Sequence, residues 1–208
     1  ALGRIESPWK PASAQEGFEI VRRRLFNPIE GNNAVSRDAV VRSFYEAYQT
    51  QYQEFPNDCK DRQYLRKLEV AYPIHPQLFD FLFQTWSTLD KFQKTRGVLR
   101  LMSKVIHCLW QREDRNLMIL PAMVPLDDPY VQAELSNYLE DPWEGVISSD
   151  IDGPDSYSVK MDRENPNLGR YSATRRVARS IFVGAAPTQY SNSKGISDKE
   201  IKLSCFQP

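Results

Sequence analysis

The sequence predicts a mainly α fold of the α+β kind: a helical bundle followed by a small α+β subdomain. Three observations carry this. Residues 72–110 form the most apolar and aromatic stretch, and their apolar positions recur at helical spacing. Three shorter stretches before them repeat apolar residues three and four apart. After Trp110 the chain turns rich in Pro, Gly, Asp, Asn and Ser, and it closes on an alternating run, residues 201–206, that reads as a strand. The expected division is 1–112 for the bundle and 113–208 for the subdomain, for which a winged-helix relative is the candidate type.

Helix one is expected over residues 14–26, with Phe18, Val21 and Leu25 as its apolar stripe and Arg22, Arg23 and Arg24 on a solvated face. Asn27-Pro28 stops it, and residues 30–33 form a turn. Ser36 is the expected cap of helix two, where Val41, Phe44, Tyr48 and Tyr52 recur before Phe55-Pro56 ends it. Helix three spans about residues 58–71, with Leu65 and Leu68 inward. Pro76 suits the first position of the next helix, where its missing N–H costs nothing. There Leu78, Phe79, Leu82, Phe83 and Trp86 share one face. Thr95 is the expected cap of a helix to about Trp110, apolar all round except for a stripe of Arg96, Arg100, Lys104, His107 and Gln111.

Beyond it, residues 116–126 read as a β-like run broken by Pro121 and Pro125. Asp128 caps a helix over 129–139, residues 140–171 read as loop or extended ladder, and Ser172 caps a helix to Gly184. Residues 189–193 read as a flexible polar insert, and residues 201–206 place Ile201, Leu203 and Cys205 on one face of a strand.

Lysine plus arginine and aspartate plus glutamate each number 27, so no global field draws the chain to nucleic acid or a membrane. Cys59, Cys108 and Cys205 are odd in number and widely spaced, which fits a reducing cytoplasm better than a disulfide framework. No apolar run is long enough to span a bilayer. The opening ALGRIESPWKP lacks the charged and apolar regions of a signal peptide and reads as a chain already in progress.

There is no GxxxxGK[ST] phosphate loop, no GxGxxG and no GxSxG, so no catalytic residue is named. His75 and His107 are not spaced as a metal pair; His75 reads as an aid to helix initiation and His107 as an edge residue. The run Asp150-Ile-Asp-Gly-Pro-Asp155 fails as a calcium loop, because its glycine is fourth rather than sixth and position twelve is Met161. No metal ligands are expected. Two cationic groups remain. Arg96 and Gly97 stand in the first turn of a helix, where the dipole disfavours a cation unless an anion is near; a salt bridge to an acid such as Asp90 is one resolution. Arg170, Arg175, Arg176 and Arg179 cluster at another helix start. Their partner is the acidic loop 150–155, DNA phosphate, or nucleotide held by another subunit.

The runs EIVRRRLF, AYPIHPQLFD, WSTLDKFQKTRGVLRLM, DIDG, RRVARSIFVGAAP and IKLSCFQP resemble one family nearly along the whole chain. It is the domain-of-unknown-function family 499, large bacterial and archaeal ATP-binding proteins of the AAA superfamily. The resemblance implies a fragment of a longer, cytoplasmic ATPase, lying after its nucleotide-binding core and often associated with DNA-modifying partners in restriction-like phage-defence clusters. It also implies that Thr95-Arg96-Gly97 is a lid arginine reaching nucleotide phosphates, with Arg100 one turn later as the alternative. On this reading the fragment alone binds no cofactor, and ATP with Mg belongs to the parent protein. The partner is then the upstream ATPase core, with weak or no direct DNA binding and no membrane contact. The rivals are a nucleic-acid-binding module built on Arg175, Arg176 and Arg179, and a structural scaffold.

Overall fold

The structure, a computed structural model, describes residues 14–139, 142–188 and 195–208. The expected irregular segment 1–13 and the polar insert 189–193 lie outside them. The first half supplies α1 (Ala14–Leu25), α2 (Asn32–Thr50), α3 (Arg62–Ala71), α4 (Pro76–Asp80) and α5 (Lys94–Gln111). The second supplies α6 (Pro129–Ser136), α7 (Glu144–Val146), α8 (Tyr157–Glu164), α9 (Pro166–Gly169), α10 (Ala173–Ala185) and α11 (Asp198–Cys205). A π turn, Phe81–Thr85, extends α4, and a second one, Ile147–Ile151, extends α7.

The fold is mainly α, and the expected α+β subdomain is corrected: among the described residues no strand forms. Residues 116–126 make one parallel bridge between Ile119 and Ile74, then a 3-10 turn, Pro121–Met123. The expected strand at 201–206 is α11. Ser197 accepts from the Glu200 N–H while Glu200 reaches back to the Ser197 N–H, a reciprocal cap that starts a helix. The expected loop 140–171 contains α7, α8 and α9. Its turn-forming residues are the caps: Ser156 accepts from the Val159 N–H and Asn165 from the Asn167 N–H. Without a sheet, a winged-helix relative has no wing.

Helix starts also shift. α2 begins at Asn32 after Gly31, whose φ of 57° suits glycine, rather than at Ser36. α5 begins at Lys94 after Gln93 rather than from Thr95. Trp110, one of the apolar residues expected around most of the circumference of α5, is 77% exposed.

Packing is continuous across residue 112. One core joins Phe18 of α1, Leu78, Leu82 and Trp86, Val98 and Met102 of α5, Val131 of α6, and Phe182 and Val183 of α10. Phe18 and Phe79 stack with ring centroids 4.6 Å apart. The buried Trp86 indole N–H donates to the Val183 carbonyl at 2.7 Å, tying the halves by a specific bond. A second core joins Val41, Phe44 and Tyr48 of α2, Tyr64 and Leu68 of α3, Met118, Leu120 and Met123, and Leu203 of α11. At its floor the buried His75 caps α4: Nδ1 accepts from the Gln77 N–H at 3.1 Å. The ring proton therefore sits on Nε2, 3.0 Å from the Tyr48 hydroxyl. Burial pulls the His75 pKa down to about 3, so the ring is neutral.

Candidate functional site

The two arginine groups singled out from the sequence sit at the starts of α5 and α10, and their surroundings differ. At α5, Gly97 is buried under the ring of Phe92; a Cβ there would stand 3.1 Å from three ring carbons. Phe92 packs edge-on to Tyr138 at 4.9 Å, and the Tyr138 hydroxyl donates to Glu134 of α6. Glu134 is wholly buried and also binds Arg100, whose Nε lies 3.1 Å away, and Lys104. Burial acts to raise the Glu134 pKa, but the hydrogen bonds from Lys104 and Tyr138 and the two cations outweigh it, leaving the carboxyl below its ordinary range. Arg100 is therefore committed to α6.

Arg96, one turn earlier, is exposed. Among the described residues its guanidinium meets only the Gln93 amide oxygen, at 3.4 Å. No carboxylate among the described residues, Asp90 included, pairs with it.

At α10 the acids dominate. Ser172 stands at the cap position with φ 49° and makes no side-chain cap bond. Asp162 of α8 does that work instead, accepting the Thr174 N–H at 2.9 Å and the Arg175 N–H at 3.1 Å. Asp152, from the acidic loop, has a fully buried side chain that accepts from Arg175 and, at 2.7 Å, from Arg179. It also accepts the Asp127 N–H at 2.7 Å. Asp127 in turn binds Arg175 and Arg179 at 3.0 Å each and Arg112 at 2.9 Å.

Burial pushes the Asp152 carboxyl up and the Arg179 guanidinium down. Two guanidinia and a backbone N–H on one carboxylate hold the group charged at neutral pH, since guanidinium does not give up its proton in proteins. Asp127 is held below the ordinary carboxylate range: burial acts to raise it, but the Arg112 hydrogen bond and the three arginine charges prevail. Of the rest of the cluster, Arg176 reaches the Asn116 amide oxygen at 3.4 Å, and the exposed Arg170 lies over the Tyr171 ring at 5.1 Å. The structure thus brings Arg175 and Arg179 together and leaves Arg170 and Arg176 outside their network.

Of the acids that organise the two sites, Asp152 lies in the loop 150–155 that the sequence offers as a partner of the α10 arginines; Glu134, Asp127 and Asp162 were not singled out, although Glu134 carries a signal. It falls between Val131, Leu135 and Tyr138 at spacings of three, four and seven, which is the inward face of a helix. Asp127 and Asp162 carry none, because their partners are distant in sequence. Among the described residues no group of three His, Cys, Asp or Glu side chains could hold a metal ion, and no helix is long and apolar enough to cross a membrane. Cys59, Cys108 and Cys205 are unpaired.

Fold and site together define a mainly α domain whose buried charges are internally matched, with one unmatched arginine at the start of its central helix. A family model described as the DUF499 second domain matches residues 12–207, and the chain belongs to that family. No curated protein and no solved structure gives a significant match.

Proposed function

We propose that this domain is the nucleotide-sensing lid and partner-contact region of a larger ATP-binding protein, with Arg96 as the sensing arginine. The observation that carries the reading is the contrast along one stripe: Arg100 and Lys104 are held by the buried Glu134, whereas Arg96 projects with no carboxylate partner among the described residues. A planar guanidinium suits phosphate oxygens, which it can fork across. The supporting shell is stiff, since Phe92 against Gly97 and Tyr138 against Glu134 fix the first turn of α5 relative to α6. Small shifts of the lid would then carry Arg96 toward or away from a nucleotide bound by the ATPase core. The engagement of Arg175 and Arg179 with Asp152 and Asp127 favours this reading over a DNA-binding module built on the same arginines.

The test is ATP turnover and nucleotide affinity in a protein that joins this domain to its nucleotide-binding core. Arg96→Ala is expected to lower one or both by about tenfold or more, the worth of one charge-assisted hydrogen bond of about 1.5–3 kcal/mol, with the melting temperature unchanged. Arg100→Ala is expected to act through stability instead. Wild-type turnover and affinity in Arg96→Ala would remove the assignment.

A further inference from the structure

A cleft of about 590 Å³ opens between the end of α2–α3 connection, α4 with its π turn, and the start of α11. Its polar wall includes Gln77, Asp80, Gln84, Lys67, Asp58 and Lys199. We propose that this cleft is a binding site for a small zwitterion of the amino-acid kind, its ammonium on Asp80, its carboxylate on Lys67, and a polar group on Gln77.

The Gln77 side chain carries the argument. The residue is only 8% exposed, it lines the cleft, and its carboxamide makes no hydrogen bond to any described residue. Its backbone N–H is already spent on His75, so the amide itself is what faces the opening. A carboxamide has two donors and an acceptor, and here, with no partner among the described residues, they are open to whatever enters the cleft.

The charges supply the ligand class. Among the described residues Asp80 accepts only a long bond from Gln84, at 3.3 Å, and burial raises its pKa while Lys67 opposes the rise. Lys67 makes no ion pair among the described residues; its ammonium stands 5.9 Å from the centre of the Tyr64 ring. Opposite charges therefore share one cleft without neutralising each other. Glu200 is withdrawn from this balance by its reciprocal cap with Ser197. A lone anion would meet Asp80 and Asp58, and a lone cation would meet Lys67 and Lys199. A molecule bearing both charges meets each with its opposite. The volume lies within the range of small-molecule sites.

The test is a titration of the isotopically labelled chain followed by nuclear magnetic resonance at the Gln77 side-chain N–H₂ signals. The titrants are a mixture of the common L-amino acids and then its components, with acetate and putrescine as single-charge probes. The expected result is a saturable shift with at least one amino acid, weakened about tenfold or more in Asp80→Asn and in Lys67→Met, the loss of one charge-assisted bond. Acetate and putrescine should not saturate. No saturable shift with any amino acid, equal binding of either single-charge probe, or affinity unchanged in both variants would each overturn the assignment. The wild-type titration decides even if a variant fails to fold.

Discussion

The starts of α5 and α10 pose the same electrostatic problem and solve it in opposite ways. Each places arginines where the helix dipole already supplies partial positive charge. At α10 the chain brings its own anions: Asp162 on the backbone N–H groups, Asp152 and Asp127 on the guanidinia. At α5 the first arginine is left to solvent, and pairing begins only at Arg100. The first arrangement is architecture. The second leaves a cation available to something outside the described residues.

The sharpest way to break this contrast is to remove the buried acid of α10. Asp152→Ala should cost about 3–5 kcal/mol in urea unfolding, because it strands Arg179, whose side chain is only 11% exposed, without a full counter-charge. A loss below about 1 kcal/mol would mean that these arginines are not structurally committed. Acid is the second lever. Asp127 and Glu134 have folded-state pKa values below their unfolded ones, so the stability they contribute is present above the ordinary carboxylate range and lost as pH falls from about 5 through the folded values. Asp152, raised by burial, works in the other direction and does not supply this loss. Asp127→Asn should flatten the pH dependence of the unfolding midpoint, whereas Arg96→Ala should leave its shape intact.

Capping gives a smaller effect. Asp162→Ala removes the acceptor of two N–H groups and should cost about 1–2 kcal/mol, with amide hydrogen exchange speeding first at Thr174 and Arg175. Smallest of all, Arg96→Ala should change stability by less than about 0.5 kcal/mol, as an exposed residue away from buried contacts does. A large melting-point loss in that variant would show that Arg96, too, is architectural.

Much of the helical frame was legible in the sequence. The period of Leu78, Phe79, Leu82 and Trp86, the proline after His75, and Asp128 before Pro129 each named a real element, because the signal is local. Residues 140–171 and 201–206 misled for an equally physical reason. Ser156, Asn165 and Ser197 belong to turns and to helix caps alike, and short helices need a cap every few residues. An alternation over six residues, as at Ile201, Leu203 and Cys205, does not separate a strand from two turns of helix; the Ser197-to-Glu200 spacing does. The arginines were visible as charges, and so was the loop 150–155 that supplies Asp152, but Asp127 and Glu134 were not. Asp127 reaches α10 across 52 residues, and no periodicity encodes such a meeting.

The bond from the Trp86 indole to the Val183 carbonyl spans 97 residues, and that span has a temporal meaning. During synthesis at about 5–20 residues per second, Trp86 emerges roughly 5–20 s before its acceptor. Phe18, Phe79 and Phe92 wait with it for the Phe182 wall of their core. Until α10 arrives, the nascent first half therefore leaves exposed the apolar side chains that Phe182 and Val183 cover in the folded domain. Tryptophan emission from a ribosome-stalled chain ending before Val183 should stay red-shifted, and the blue shift on extension would time the moment at which the domain closes.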